Sequence, residues 1–333
     1  MYVRKMNETK LIEETENNEE TENNEETENN EETENNEETD DKKSIIKHLV
    51  IAGGGTYGFQ AYGALQETHK QGIWNIKNIQ SCYATSIGTI LCIMLLLQYN
   101  EDELDNYIIT RPWHQLFKYD MNSIINTFQT TGLYDIHTFK QMLIPLLKGM
   151  DYSEETTMQE FYDKTHVDLH IYSTNVNTFE TVDMSYKTHP QWTLIECAYS
   201  SCCIPIFFKP YEYEKNFYID GGTLLNYPLD ICLSKNPPDE ILGICKTVKL
   251  TKNLDSNMNI LEFVGILLSN TISKIDSFPK SGIPYEIVVE TSAMSINDIF
   301  EFAQSESYRK EWVKKGHEIA LSQIDIWSDS KSH

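Results

Sequence analysis

His48-Leu49-Val50-Ile51-Ala52-Gly53-Gly54-Gly55-Thr56-Tyr57-Gly58 is the stretch on which the reading of this chain turns. A short apolar run ends in three glycines, and a helix-like pattern follows from Phe59 to Gln71, so the order is strand, turn, helix. A second unit of the same kind follows, with a strand at Ile79 to Tyr83, a turn at Ala84 to Gly88 and an apolar helix from Ile87 to Tyr99. Two strand-to-helix units this close together imply parallel strands joined by crossovers. The expected fold class is therefore α/β, three layers with helices on both faces of a central, mostly parallel sheet.

Further strands are expected at Leu169 to Thr174, Phe179 to Met184, Asn216 to Ile219, Glu240 to Cys245 and Tyr285 to Glu290. Helices are expected at Glu101 to Ile109, His137 to Leu147, Thr193 to Ser201, Asn259 to Ile275 and Ile296 to Ser322. No linker divides this region, so it reads as one domain over 46–325 with a short tail at 326–333. The stripe Ile260, Leu261, Phe263, Val264, Leu267, Leu268 and Ile272 reads as a core-facing helix side, with contact to lipid as the alternative.

The 333 residues are 40% hydrophobic, but the N-terminus is not globular in composition. From Glu13 the hexapeptide Glu-Glu-Thr-Glu-Asn-Asn runs four times and starts a fifth, without an apolar or basic side chain. Like-charge repulsion with nothing to bury leaves such a tract disordered, so 1–45 reads as an acidic, solvated tail. It carries 16 acidic residues against a net charge of −24 for the chain, which leaves an ordinary acidic domain. Nucleic acid is not an expected partner of such a surface. No signal peptide is visible, and the apolar stretch Ile87 to Leu97 is about half the ~20 residues that a membrane span needs. An intracellular location, soluble or peripherally membrane-associated, is the expectation. Seven cysteines, an odd number with no Cys-x-x-Cys pair, read as buried reduced thiols rather than a zinc site.

Gly53, Gly55 and Gly58 also satisfy the G-x-G-x-x-G pattern of dinucleotide-binding turns. That use requires an acidic residue about 20 positions on, and Ile73 to Tyr83 contains none. No Gly-Lys-Ser/Thr follows either, which removes a phosphate loop of the nucleotide-triphosphate kind. The remaining use of a glycine-rich turn opening a helix is to aim backbone N–H groups at an oxyanion. Ala84-Thr85-Ser86-Ile87-Gly88 matches the strand–turn–helix setting of the G-x-S-x-G nucleophile elbow, with alanine in place of the first glycine. Asp220-Gly221-Gly222 follows the strand Phe217-Tyr218-Ile219, which puts the carboxylate at a strand end. Together the three motifs supply oxyanion donors, a nucleophile and a base.

These residues resemble the patatin-like phospholipases, lipid acyl hydrolases that use a serine and aspartate dyad. The resemblance runs through His48 to Leu65 (HLVIAGGGTYGFQAYGAL), Tyr83 to Ile90, Gly132-Leu133-Tyr134-Asp135, Thr157 to Asn175, Ala198 to Pro205 (AYSSCCIP) and Phe217 to Pro228 (FYIDGGTLLNYP). It covers about residues 48 to 292, with a C-terminal helix to about 323. It implies a patatin-like fold, with Ser86 as nucleophile, Asp220 as base, and the backbone of Gly53, Gly54 and Gly55 as oxyanion hole, Gly58 permitting the helix start. Ala84, Gly88, Gly221 and Gly222 support the motifs. It further implies a lipid substrate met by peripheral membrane contact, with no metal or organic cofactor, and the protein partners stay open.

Two departures are visible: Tyr57 stands where many members carry Arg or Lys, and Ala84 where they carry Gly. They keep open a catalytically inactive lipid- or protein-binding relative, and an acyl-enzyme intercepted by an alcohol keeps open an acyltransferase. A Ser-His-Asp triad through His317 has the right chain order, but His317 lies in a polar helical stretch and reads as solvated.

Overall fold

The computed structural model describes residues 45–118, 130–249, 260–275, 282–292 and 296–330. The expected acidic tail thus lies outside the described residues except for Ile45, as do 331–333 of the expected C-terminal tail.

The sheet is built on β1 (His48–Ile51), whose four residues are all buried. A strand covered on both faces needs a continuous apolar run rather than an alternating one, and His48-Leu49-Val50-Ile51 comes close to that. β1 runs parallel to β2 (Ser81–Thr85) on one side and to β9 (Ile241–Lys249) on the other. β10 (Tyr285–Ser292) continues the parallel array beyond β9, and β4 (Asp168–Asn175) continues it beyond β2. Within this sheet, antiparallel pairing among the described residues begins past β4, through β5 (Glu180–Met184), β8 (Asn216–Asp220) and β7 (Tyr211–Tyr213). The order is β10-β9-β1-β2-β4-β8-β7, with β5 also on β4, which is the mostly parallel α/β sheet expected.

One detail of this order places the chemistry. β5 occupies one edge of β4 from Ile171 to Asn175. On the other edge β2 pairs as far as Thr85 opposite Tyr172, and β8 takes over with Asp220 opposite Ser173. The two strands meet end to end along β4 from opposite directions. The residue leaving β2, Ser86, and the last residue of β8, Asp220, are therefore brought together by register alone.

Among the described residues the α-helices are α1 (Gly58–Lys70), α2 (Ile87–Leu96), α3 (Glu101–Asp105), α4 (Ile136–Gly149), α5 (Met158–Thr165), α6 (Leu194–Cys202), α7 (Leu229–Leu233), α8 (Ile260–Ile275), α9 (Ile296–Gln304) and α10 (Glu306–Ser330). α2 is apolar on almost every side and buried, as a helix enclosed by a sheet and other helices must be. α5 and α6 each open with a Thr-x-x-Glu capping box, Thr157 with Glu160 and Thr193 with Glu196, which satisfies otherwise orphaned N–H groups.

The differences from expectation have local causes. The helix expected over 296–322 is two, because Ser305 accepts a hydrogen bond from the Tyr308 N–H and caps a new start. α10 also runs past the expected boundary at 325, with Trp327 buried edge-on against Tyr285. The helix expected over 101–109 is α3 followed by one π-helical turn, Asn106–Thr110. The short strands β3 (Gly132–Tyr134) and β6 (Ile206–Phe208) pair in a small separate sheet and, like α5 and α7, carry patterns too brief to read as elements. On α8, Phe263 and Leu267 are exposed, contrary to the core-facing stripe, and Val264 is half-buried. The other four residues of that stripe fall outside the described side chains. All seven cysteines are free thiols, six buried and Cys245 half-buried.

Candidate active site

Ser86 sits between the end of β2 and the start of α2 with φ 53° and ψ −125°, a backbone conformation that side chains rarely adopt. Such a residue costs on the order of 1–3 kcal/mol and persists only where its surroundings hold it. Here the Ser86 N–H donates to Ser201 Oγ at 2.8 Å, and Ser201 Oγ donates onward to the Tyr172 carbonyl at 2.6 Å. α6 thus clamps the elbow to β4. Gly88 lets α2 lie against β1, since a Cβ there would stand 2.4 Å from the Ile51 carbonyl oxygen. Ala84, the departure from glycine, is fully buried within β2, level with Ile51 and Ile171, so its methyl group is part of the core.

The Ser86 hydroxyl donates to Asp220 Oδ2 at 2.5 Å, and both residues are buried. The other carboxylate oxygen accepts the Gly222 N–H at 2.8 Å. Burial pushes the Asp220 carboxyl up to about 6, against the opposing pull of the Ser86 hydroxyl, the Gly222 N–H and the Lys246 charge. A carboxyl so raised is a far better proton acceptor near neutrality than a solvated one of about 3.9. Gly221 has to be glycine because a Cβ would stand 2.2 Å from the Tyr172 carbonyl oxygen.

The glycine turn needs a correction. The Gly53 N–H is not available to an oxyanion, because it donates to the Asn226 carbonyl at 3.0 Å. The Gly58 N–H is engaged by the Gly55 and Thr56 carbonyls as the turn winds into α1. Among the described residues the Gly54 and Gly55 N–H groups have no acceptor, and they follow one another at φ 156° and 58°. Successive N–H groups in such a turn make an anion-binding concavity. Gly53 is glycine for another reason. The Asn226 amide oxygen fills the place of its Cβ, 2.6 Å away, and that of Gly222, 2.9 Å away. Asn226 thereby wedges the glycine turn against the Asp-Gly-Gly turn.

Ser86 and Gly55 both line a cavity of about 190 Å³ that opens beside the dyad. Its walls are almost wholly apolar, with Ile90 and Met94 from α2, Leu143 and Leu146 from α4, Phe207 from β6 and Phe302 from α9.

The family model described as patatin-like phospholipase matches residues 49–233, more than half of the chain. The chain belongs to the patatin-like phospholipase family. Two curated relatives are viral. Protein R571 of Acanthamoeba polyphaga mimivirus, described as uncharacterized, is 28% identical over 202 residues, 61% of this chain and 66% of its own length. Probable lipid hydrolase 463L of Invertebrate iridescent virus 6 is 26% identical over 259 residues, 72% of this chain and 87% of its own. Solved structures with some likeness include VipD from Legionella pneumophila, at 16% identity and TM-score 0.48, covering 84% of this chain and 67% of VipD. The ExoU–SpcU complex of Pseudomonas aeruginosa follows at 13% and 0.43, covering 85% of this chain and 52% of that one.

Within this patatin-like domain the structure brings Ser86, Asp220 and the glycine turn together and leaves His317 out. His317 Nδ1 stands 3.1 Å from the buried Glu67 carboxylate, so the side chain is half-buried and partnered rather than solvated as expected. Three residues of the patatin-like site were not singled out from sequence: Ser201, Asn226 and Lys246. The first two lie inside the family-like blocks AYSSCCIP and FYIDGGTLLNYP, but their types signal nothing until the fold places them. Among the described residues no helix is long and apolar enough to cross a membrane.

Proposed function

We propose that this protein hydrolyses fatty-acyl esters of membrane lipids, phospholipids above all, through an acyl-enzyme on Ser86. The observation that carries the reading is the 2.5 Å hydrogen bond from Ser86 Oγ to a buried Asp220, made at the wall of an apolar cavity. Asp220 Oδ2 takes the Ser86 proton as Oγ attacks the ester carbonyl carbon. The carbonyl oxygen becomes an oxyanion and faces the Gly54 and Gly55 N–H groups. Preorganised donors of this kind each stabilise such a charge by roughly 3–4 kcal/mol, as judged by mutation. The intermediate collapses as Asp220 returns the proton to the leaving alkoxide. A water then loses a proton to Asp220 as it attacks the acyl-Ser86 carbonyl, and when the second intermediate collapses Asp220 gives that proton to the departing Ser86 Oγ, which releases the fatty acid and restores the dyad. The apolar cavity takes the acyl chain, and the substrate is reached by peripheral contact with a lipid surface.

Hydrolysis of a soluble medium-chain ester, run beside labelling by a serine-directed fluorophosphonate, tests this. Both signals are expected from the wild-type protein, and a folded protein showing neither would overturn the reading. The pH profile adds a second check. Asp220 works in its ionised form, so kcat/KM should be flat above about pH 6 and fall about tenfold per unit below it. An acid limb near pH 4 would mean that the base is a solvated carboxylate instead.

A further inference from the structure

The turn Gly53-Gly54-Gly55-Thr56-Tyr57-Gly58 contains no cation. Tyr57 is buried near Cys245 with its phenol held neutral by that burial, and it does not line the cavity, so it belongs to the core beside β9 and not to the site. A cation reaches the turn from β9 itself. β9 runs parallel to β1 with Ile244 opposite Ile51, which puts Lys246 two residues further on, level with the glycines. Its Cδ, Cε and Nζ lie 2.8, 2.9 and 2.8 Å from where a Gly54 Cβ would stand. The lysine stem therefore lies across the bare α-carbon of Gly54, in space that only glycine leaves open. Its charge is also felt at Asp220, where it favours the carboxylate.

The position of Lys246 relative to the cavity says what it can meet. Gly55, Thr56 and Gly58 belong to the apolar wall, whereas Gly54 and Lys246 do not. The cation that does line the cavity, Arg309, is 2% exposed and spends its guanidinium on the carbonyls of Ile109, Phe302, Ala303 and Arg111. An acyl chain in the cavity with its carbonyl at Ser86 leaves the alcohol half of the ester outside the apolar wall, as Gly54 and Lys246 also are. In a glycerophospholipid that half carries a phosphodiester a few bonds from the scissile oxygen, and in a neutral glyceride it carries no charge.

We propose that Lys246 is the residue by which this protein selects phosphate-bearing lipids, its ammonium meeting the phosphodiester while the acyl chain fills the apolar cavity. This rests on the hydrolase reading and adds to it the residue that discriminates among lipid substrates. A charge-assisted hydrogen bond of this kind supports a discrimination of about tenfold or more.

The test compares kcat/KM on a phosphatidylcholine and on a diacylglycerol with the same chains, in the same mixed micelles, for wild type, Lys246→Gln and Lys246→Arg. Lys246→Gln should lower the phospholipid-to-diacylglycerol ratio about tenfold or more, and Lys246→Arg should restore most of it. The acid limb of Lys246→Gln should also move to higher pH on both substrates, a change that a purely structural role would not produce. Of the groups whose charge bears on Asp220, Lys246 is the cation; the thiols of Cys202 and Cys203 are held neutral by burial, and Ser86 and Gly222 contribute hydrogen bonds. A ratio unchanged within twofold, or an equal loss on both lipids, overturns the proposal. Micelles of a non-hydrolysable diether phosphatidylcholine and of the matching diether glycerol separate this from the hydrolase reading. Binding of the former that is no weaker in Lys246→Gln than in wild type overturns the assignment of Lys246, whether or not any ester is cleaved.

Discussion

Replacement of Ser86 by alanine is expected to lower turnover of any ester by at least about a thousandfold and to abolish fluorophosphonate labelling. Asp220→Asn should cost nearly as much, because an amide cannot accept the Ser86 proton. The double variant should be no worse than Ser86→Ala alone, since the two residues act as one unit and their losses do not add. Asp220→Asn carries a further expectation, opposite in sign. The carboxyl is held near 6 in the folded protein, against about 3.9 in an unfolded chain. The folded state thus binds the proton more tightly, and stability falls as pH rises from about 4 to about 6. Above that the ionised carboxylate costs on the order of 3 kcal/mol. The asparagine carries no charge to bury and can still accept the Gly222 N–H and donate to Ser86 Oγ. Asp220→Asn should therefore melt higher than wild type at pH 7 and show no gain at pH 4, while being inactive at both. Thermal unfolding at the two pH values decides it: a variant that is inactive and also less stable at pH 7 would mean that Asp220 is structural. His317→Ala is the companion control, expected to retain turnover because its partner is Glu67 and not Asp220.

The residue types of the site were legible because the chemistry constrains them locally. A strained elbow needs small neighbours, an anion-binding turn needs glycine, and a base at a strand end needs a turn behind it. All three requirements are written within a few residues of Ser86, Gly54 and Asp220. What the sequence could not convey is what the far parts of the chain bring to those turns. That the Gly53 N–H is spent on Asn226 depends on a loop remote in sequence meeting the end of β1. The Ser201 clamp and the approach of Lys246 likewise arise from sheet order and register. Tyr57 illustrates the same limit from the other side: its position in the motif points to the site, yet its ring is 1% exposed and belongs to the core. In the fold, the longer strands lie within a few residues of the apolar runs that mark them in the sequence. Three-residue strands such as β3, β6 and β7 are too short to show a period.

The second large effect is expected far from the dyad, at Gly63 and Gly316. The family match ends at residue 233, yet β9, β10 and the helices after them complete the sheet and supply Phe302 and Arg309 to the cavity. α10 is attached by a close crossing on α1, the helix that the glycine turn opens. A Cβ on Gly63 would stand 2.1 Å from the Val313 carbonyl oxygen, and one on Gly316 would stand 2.0 Å from that of Gln60. The contacts are reciprocal and fall on backbone, so neither can be relieved by a side-chain rotation. Alanine at either site improves helix propensity by about 1 kcal/mol. It must also push the two helices apart, and overpacking of a closed contact costs about 1–3 kcal/mol. The net sign is therefore a loss for alanine, and leucine should cost about 3 kcal/mol or more at each site. Turnover should fall as well, below the melting temperature, because the helices that wall the cavity and open from the glycine turn are displaced together. Thermal unfolding and ester hydrolysis of Gly63→Leu and Gly316→Leu measure both, and wild-type melting in either would show that α10 does not dock there. The double alanine variant should lose less than its two singles added, since a single separation of the helices relieves both contacts.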